Sequence, residues 1–381
     1  MIKNTLQYCA TDKEIHDALM SARKKISEKV LLEIAKDRGI FLSNKETRED
    51  LIGVISLLPH DYHDYHDLNS LLEQSENSGR QEKITSVTLA EELTVEEIKD
   101  ILKEYADEAP ADERVNFHPK GTNQVNVNIN YSEIDYGKTR LIQRTPKEAG
   151  IEFHTEDKKT IIRMPANERV KKIFSKLKDK IDFKKKKEVQ AIRIEIGEFE
   201  SPSLRTTFFT SLISTLNGFT LSNVTSVKVE RLKAEPEDDE LVFEDDQETE
   251  EAKQVALALV QKVALKGETL LASEEYQSLS RKGFFITSII WRSKLKKSPY
   301  PMIEFEAAFE EPLLGKGFKY FIRGAYNMVD QHYTKTIRPI DVVDKEKYLT
   351  IIEETAANTI NDLKDKDKID VNIEKTRGVS T

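Results

Sequence analysis

Val125–Tyr131 reads VNVNINY. Apolar and polar residues alternate strictly here, which predicts a half-buried β-strand and divides the chain in two. Upstream, apolar residues recur at helical spacing. Downstream, TRLIQRT (139–145), GIEFHT (150–155) and KTIIRMP (159–165) read as short strands separated by turn residues. A basic amphipathic helix over Asn167–Ile181 follows. Then come a strand in VQAIRIEIG (189–197), a helix in SLRTTFFTSLISTLNG (203–218) closed by Gly218, and a strand in TSVKVERL (225–232). Strands followed by alternating helix and strand predict an α+β domain with a mixed sheet over 122–233.

The C-terminal part repeats the mixture. EAKQVALALVQKVAL (251–265) reads as helix, and Ser273 caps a second helix in EEYQSLSRKG. Strands in GFFITSIIWRSKL, MIEFEAAFEE and GFKYFIRGAYNMV then give a helix–helix–hairpin order over 252–365 that resembles a winged helix. A last helix over Lys345–Leu363 leads into a tail, 366–381, that reads as flexible. At 381 residues, two or three cores are expected, so the fold class is α+β and multi-domain.

The first 75 residues read as a helical bundle. Thr11 and Glu14 form a capping box, Gly39 suits the position just past a helix end, and Ser43 with Glu46 is placed to cap the next helix. A linker with short helices, 76–121, carries two further capping boxes, Thr88 with Glu91 and Thr94 with Glu97.

Within the bundle, Ser27–Leu58 (SEKVLLEIAKDRGIFLSNKETREDLIGVISLL) joins two amphipathic helices through a brief extended segment. Apolar Leu31, Ile34 and Ala35, then Gly39–Ile40, then Lys45, Arg48, Leu51, Ile52 and Ile55 resemble the SAP-type helix–extension–helix motif. Asn44 stands where that pattern commonly has glycine. The resemblance implies phosphate binding at the second helix N-terminus, with Lys45 and Arg48 as the flanking cations. A plain helical hairpin used for packing satisfies the same pattern.

Net charge is −9, but Glu235–Glu251 (EPEDDELVFEDDQETEE) holds eleven acids and no base, and leaving it out brings the remainder to +2. This segment, set in an acidic linker over 234–251, reads as a docking site for a basic protein partner or as a mask over the chain's own cations. Basic character gathers at Lys171, Lys172 and the run Lys184, Lys185, Lys186 and Lys187, and again at Arg292 and Lys294 beside Trp291. Each suits a phosphate backbone. Each also suits a solvated turn or a core tryptophan with wet neighbours.

No P-loop, dinucleotide fingerprint, nucleophile elbow or HExxH occurs, and no cofactor or metal is expected. His60, His63 and His66 lie too far round a helix to share one ion. Carboxylates for a metal-dependent nuclease exist (Glu152, Asp157 and Lys159, or Glu195, Glu198 and Glu200) without motif spacing. A single cysteine, Cys9, and no apolar run of membrane length suit a reducing cytoplasm. The expected function is therefore non-catalytic nucleic-acid binding, DNA first, with weak sequence preference. A nuclease and a protein scaffold are the alternatives. The Lys-, Glu- and Ile-rich composition suits a bacterial genome-maintenance or phage-defence component.

Overall fold

The computed structural model describes residues 10–23, 26–74, 82–231, 262–266, 270–296, 301–330 and 332–377. The helical bundle supplies α1 (Asp12–Ser21), α2 (Glu28–Asp37), α3 (Arg48–Ser56) and α4 (Tyr62–Gln74). Then follow β1 (Ile84–Leu89), α5 (Val95–Glu108), β2 (Arg114–Pro119), β3 (Gln124–Ile134), β4 (Arg144–Glu156) and β5 (Lys159–Pro165). Next come α6 (Glu168–Lys185), β6 (Ala191–Arg193), α7 (Pro202–Ser214), β7 (Phe219–Arg231) and β8 (Lys262–Lys266). The chain ends with α8 (Glu274–Arg281), β9 (Phe284–Leu295), β10 (Met302–Glu311), β11 (Lys316–Tyr326), the small hairpin β12 (Met328–Val329) and β13 (His332–Tyr333), and α9 (Val342–Arg377). The fold is α+β, and among the described residues no helix is long and apolar enough to cross a membrane.

The described residues fall into two compact units. The first draws on Met1–Gln81, Leu102–His118 and Val127–Gly150, the second on Glu82–Ile101, Pro119–Asn126 and Ile151–Thr381. In the first unit, Ile15, Leu19, Ile26, Leu31, Ala35, Leu51, Ile52 and Ile55 bury together with Leu68, Leu72 and Leu141. The Thr11–Glu14 capping box forms, and Gly39 takes φ +76° just past α2. The next helix starts four residues later than the sequence suggests. Thr47 caps α3 in a box with Asp50, while the Ser43 hydroxyl accepts from the Lys45 amide inside the preceding turn. TRLIQRT is not a strand throughout, because Arg140–Ile142 makes a 3₁₀ turn before β4 begins.

The second unit is organised on a sheet in the order β5-β1-β11-β10-β9-β7-β8, with β6 added beside β1. Its register-resolved pairs are antiparallel, where a mixed sheet was expected. Strands read as belonging to two modules share hydrogen bonds: β7 pairs β9 from Phe219↔Leu295 to Arg231↔Phe284. The winged-helix-like hairpin β9–β10 is thus the middle of a larger sheet.

Three local expectations change here. Thr88 caps no helix; it lies in β1, because ITSVTL is rich in β-branched residues and pairs Thr160–Pro165 of β5. KVALK at 262–266 is a strand on β7; the rest of that expected helix, like the acidic segment Glu235–Glu251 and Cys9, lies outside the described residues. The tail is helical to Arg377, since no glycine or proline interrupts it before Gly378.

One face of this sheet is packed by α7 and α9. Phe208, Phe209, Leu212 and Ile213 from α7 meet Trp291, Phe305, Phe309 and Phe318 from the strands. Trp291 is fully buried and stacks on Phe305 at 5.3 Å, the core alternative for this residue. From α9, Tyr348, Leu349, Ile352, Ala356, Ile360 and Leu363 enter the same core at helical spacing.

A charged knot fixes α9 to the strands. The Arg163 guanidinium on β5 donates to Glu353 on α9 at 2.7 and 3.0 Å, to Glu152 on β4 at 2.8 Å and to the Thr350 hydroxyl at 3.1 Å. The Tyr320 hydroxyl on β11 also donates to Glu353. Burial works against the Arg163 charge, but Glu353 more than compensates and raises its pKa; burial, followed by the Glu353 charge, pushes the Tyr320 phenol well up. Replacing Arg163 by Met leaves Glu353 buried without its main partner. Urea unfolding of that variant should show a loss of about 3–5 kcal/mol, whereas the double replacement Arg163→Met with Glu353→Leu should recover much of it.

Candidate nucleic-acid interface

The cations singled out in the sequence separate into structural and exposed groups. In the first unit, Arg48 turns inward: its guanidinium donates to the carbonyls of Ile26 and Leu19, the latter at 3.0 Å, and so ties α3 to the end of α1 and the start of α2. Its Nε is buried without a partner. Lys45 stands exposed in the turn before α3. Residues 38–47 join α2 to α3, and of the two expected phosphate ligands only Lys45 faces solvent.

His60 is likewise occupied. Arg38 Nη1 meets its Nδ1 at 3.2 Å and its Nε2 meets the Ile55 carbonyl at 2.8 Å, while Arg38 pairs Asp64 at 3.2 Å. Among the described residues no group of three His, Cys, Asp or Glu side chains is arranged to hold a metal ion. Of the nuclease candidates, Glu152 is turned to Arg163, Asp157 occupies the β4–β5 turn at φ +49°, and Glu198 pairs Lys364 at 2.8 Å.

In the second unit, α6 carries the densest basic sequence. Asn167 caps it by accepting from the Val170 amide, and Val170, Ile173, Phe174, Leu177 and Ile181 bury its apolar face. The helix runs through Lys185, so the lysine run is its last turn and cap and no separate loop exists. There the cations meet the negative helix end, and Lys186 takes a left-handed conformation at φ +54°.

Most of the run is neutralised within the fold. Lys184 pairs Asp100 at 2.8 Å, Lys185 pairs Glu97 at 2.8 Å and donates to the Glu92 carbonyl, and Lys187 pairs Glu91 at 2.6 Å. Lys171 bridges Glu168 and Glu310 at 2.9 and 2.7 Å. On β9, Arg292 pairs Glu304 at 2.8 Å and lies over the Tyr326 ring, while exposed Lys294 lies 5.2 Å from the Tyr333 ring centre.

Among the exposed positions of α6, 172, 176, 179 and 183 share one face of the helix, continued by Lys186. It presents Lys172, Lys176, Asp179 and Phe183. Phe183 is 85% exposed, an aromatic ring standing among lysines on the wet side. Sequence reading missed it, although an apolar residue in phase with Lys172 and Lys176 was the available signal. Lys172, Lys176 and Phe183 span about 16 Å of helix, and Lys186 lies just past its end. Compared with models of known protein families the chain matches none, and it matches no curated protein either.

Two expected outcomes follow from the paired groups. Arg48→Ala should weaken amide-exchange protection of α1–α3 by about 1–3 kcal/mol, with Lys45→Ala changing it by less than about 0.5 kcal/mol. Hydrogen bonding from Lys187 holds the Glu91 carboxyl below its ordinary 4.5; for Glu97, burial opposes ionisation, but Lys185 and the Thr94 amide outweigh it. A depressed carboxyl stabilises the fold above its ordinary pKa, and that contribution is lost as pH falls through the folded value. Helix content by circular dichroism should therefore begin to fall below pH 4.5, and Glu91→Gln with Glu97→Gln should remove this part of the acid response.

Proposed function

We propose that this chain is a non-catalytic nucleic-acid-binding protein that takes single-stranded DNA along α6, with weak sequence preference. The observation that carries this reading is the exposed Lys172–Lys176–Asp179–Phe183–Lys186 stripe, three cations and a ring to one acid, left over when the neighbouring lysines are consumed by ion pairs within the fold. Lysines released from internal carboxylates gain by displacing counterions from a phosphate backbone, and an exposed ring stacks on any base. Lys45 adds a phosphate contact in the helical unit. The segment Glu235–Glu251 serves a basic protein partner in this scheme, and the setting is a cytoplasmic genome-maintenance or phage-defence assembly in a bacterium.

Fluorescence anisotropy with a labelled oligothymidine, titrated between about 50 and 200 mM salt, tests this. Affinity should fall steeply with salt. Lys172→Ala with Lys176→Ala and Lys186→Ala should lower the log–log slope by about 2, at about 0.7 per lost phosphate contact on a single strand. Phe183→Ala should cost about 1–3 kcal/mol of binding with the slope unchanged. Lys184→Ala should leave affinity intact. A salt-independent affinity, or equal losses from Lys184→Ala and the stripe variant, would overturn the assignment.

A further inference from the structure

The single Asn–Gly pair of the chain, Asn217–Gly218, sits between α7 and β7 in the turn Leu216–Phe219. The Phe219 amide closes this turn by donating to the Leu216 carbonyl at 3.1 Å, and Gly218 takes φ +77°, as the third residue of a type II turn must. A turn of this kind engages the amide of its fourth residue. The amide of its third, Gly218, has no acceptor among the described residues, although the Gly218 carbonyl accepts from Lys296 at 2.9 Å. By contrast, Gly39 and Gly283, left-handed just past α2 and α8, donate to the Lys36 and Ser280 carbonyls at 2.8 and 3.1 Å. Asn217 is exposed, and a Cβ placed on Gly218 would meet nothing within 4 Å, so the space beside the pair is open.

We propose that Asn217 is a site of spontaneous deamidation, with water as the only co-reactant. The Gly218 backbone nitrogen attacks the Asn217 side-chain carbonyl carbon, and the new C–N bond closes a five-membered succinimide. The bond to the side-chain nitrogen breaks, and ammonia leaves with the proton that the Gly218 amide gives up. Water then adds to one of the two ring carbonyls. Opening on one side gives aspartate; opening on the other gives isoaspartate, whose main chain runs through Cγ and is one atom longer. Nucleophile and electrophile are neighbours in the chain, so ring closure has the advantage of an intramolecular reaction. Glycine carries no Cβ to shield the attacking nitrogen, whereas Lys45 and Gln124 do so behind the exposed Asn44 and Asn123. The longer product strains the fold. Leu216 and Phe219 are both buried, and the Phe219 ring meets Phe305 and Tyr348 at 5.4 and 5.2 Å, so an added main-chain atom between them withdraws one of the two from the core. The proposal is independent of nucleic-acid binding.

The test ages the intact chain at neutral and mildly alkaline pH and follows each asparagine by peptide mass spectrometry, with isoaspartate told from aspartate by fragmentation. Asn217 should convert at least about tenfold faster than Asn44 or Asn123, because no Cβ shields its attacking nitrogen. The rate should rise with pH, since the attacking amide must lose its proton. The aged chain should unfold at lower urea in proportion to its isoaspartate content, while Asn217→Ser aged alongside keeps its midpoint. Conversion at Asn217 no faster than at the two control asparagines would overturn the proposal. So would conversion confined to the urea-unfolded chain, because the turn would then protect the amide that it leaves open here. An equal loss of midpoint in aged Asn217→Ser would overturn the link between isoaspartate and the core.

Discussion

The Arg163–Glu353 pair is the constraint on which the second unit turns. Its members lie 190 residues apart in sequence, and the guanidinium is shared among β4, β5 and α9 while Tyr320 joins from β11. An ion pair this enclosed adds little net stability over an apolar replacement, because desolvation consumes most of the attraction. What it supplies is position: an unpaired carboxylate at Glu353 is so unfavourable that α9 has one acceptable register on the sheet. Tyr348, Leu349, Ile352 and Ala356 can then enter the core together.

The same logic separates the lysines that build the molecule from those that face outward. Lys184, Lys185 and Lys187 each find a carboxylate in the stretch Glu91–Asp100, which joins the end of α6 to the start of α5 and the loop before it. Exposed pairs of this kind are worth little individually. Three on one short stretch nevertheless set where α6 ends, and leave its opposite face to Lys172, Lys176 and Phe183. On the sheet, Arg292 and Arg323 with Glu304, and Lys83 with Glu306, perform the corresponding task.

Periodicity made much of this readable in advance. VNVNINY is β3, the Asn167 cap and basic helix are α6, Ser273 caps α8, and the Thr11–Glu14 and Thr94–Glu97 boxes form. Failures came where local pattern and tertiary pairing compete. ITSVTL carries capping chemistry at Thr88 but becomes a strand because β5 and β11 offer it edges. Arg48 carries the signature of a phosphate ligand but reaches two buried carbonyls more than twenty residues away. Charge runs show how many cations are present; only the fold shows which carboxylates, over eighty residues earlier in the chain, consume them.

The placement of β1 has a consequence for how the chain is made. β5 can cover one of its edges and β6 the Val87–Leu89 part of the other, but β11, which takes the Ile84 end, is separated from it by more than two hundred residues. During translation the Ile84 end of that flank waits for its partner until β11 has left the ribosome. A nascent chain with so long an interval between first and last partners is exposed to mispairing with its neighbours on the same message, and chaperone capture of the ITSVTL segment would shorten the hazard.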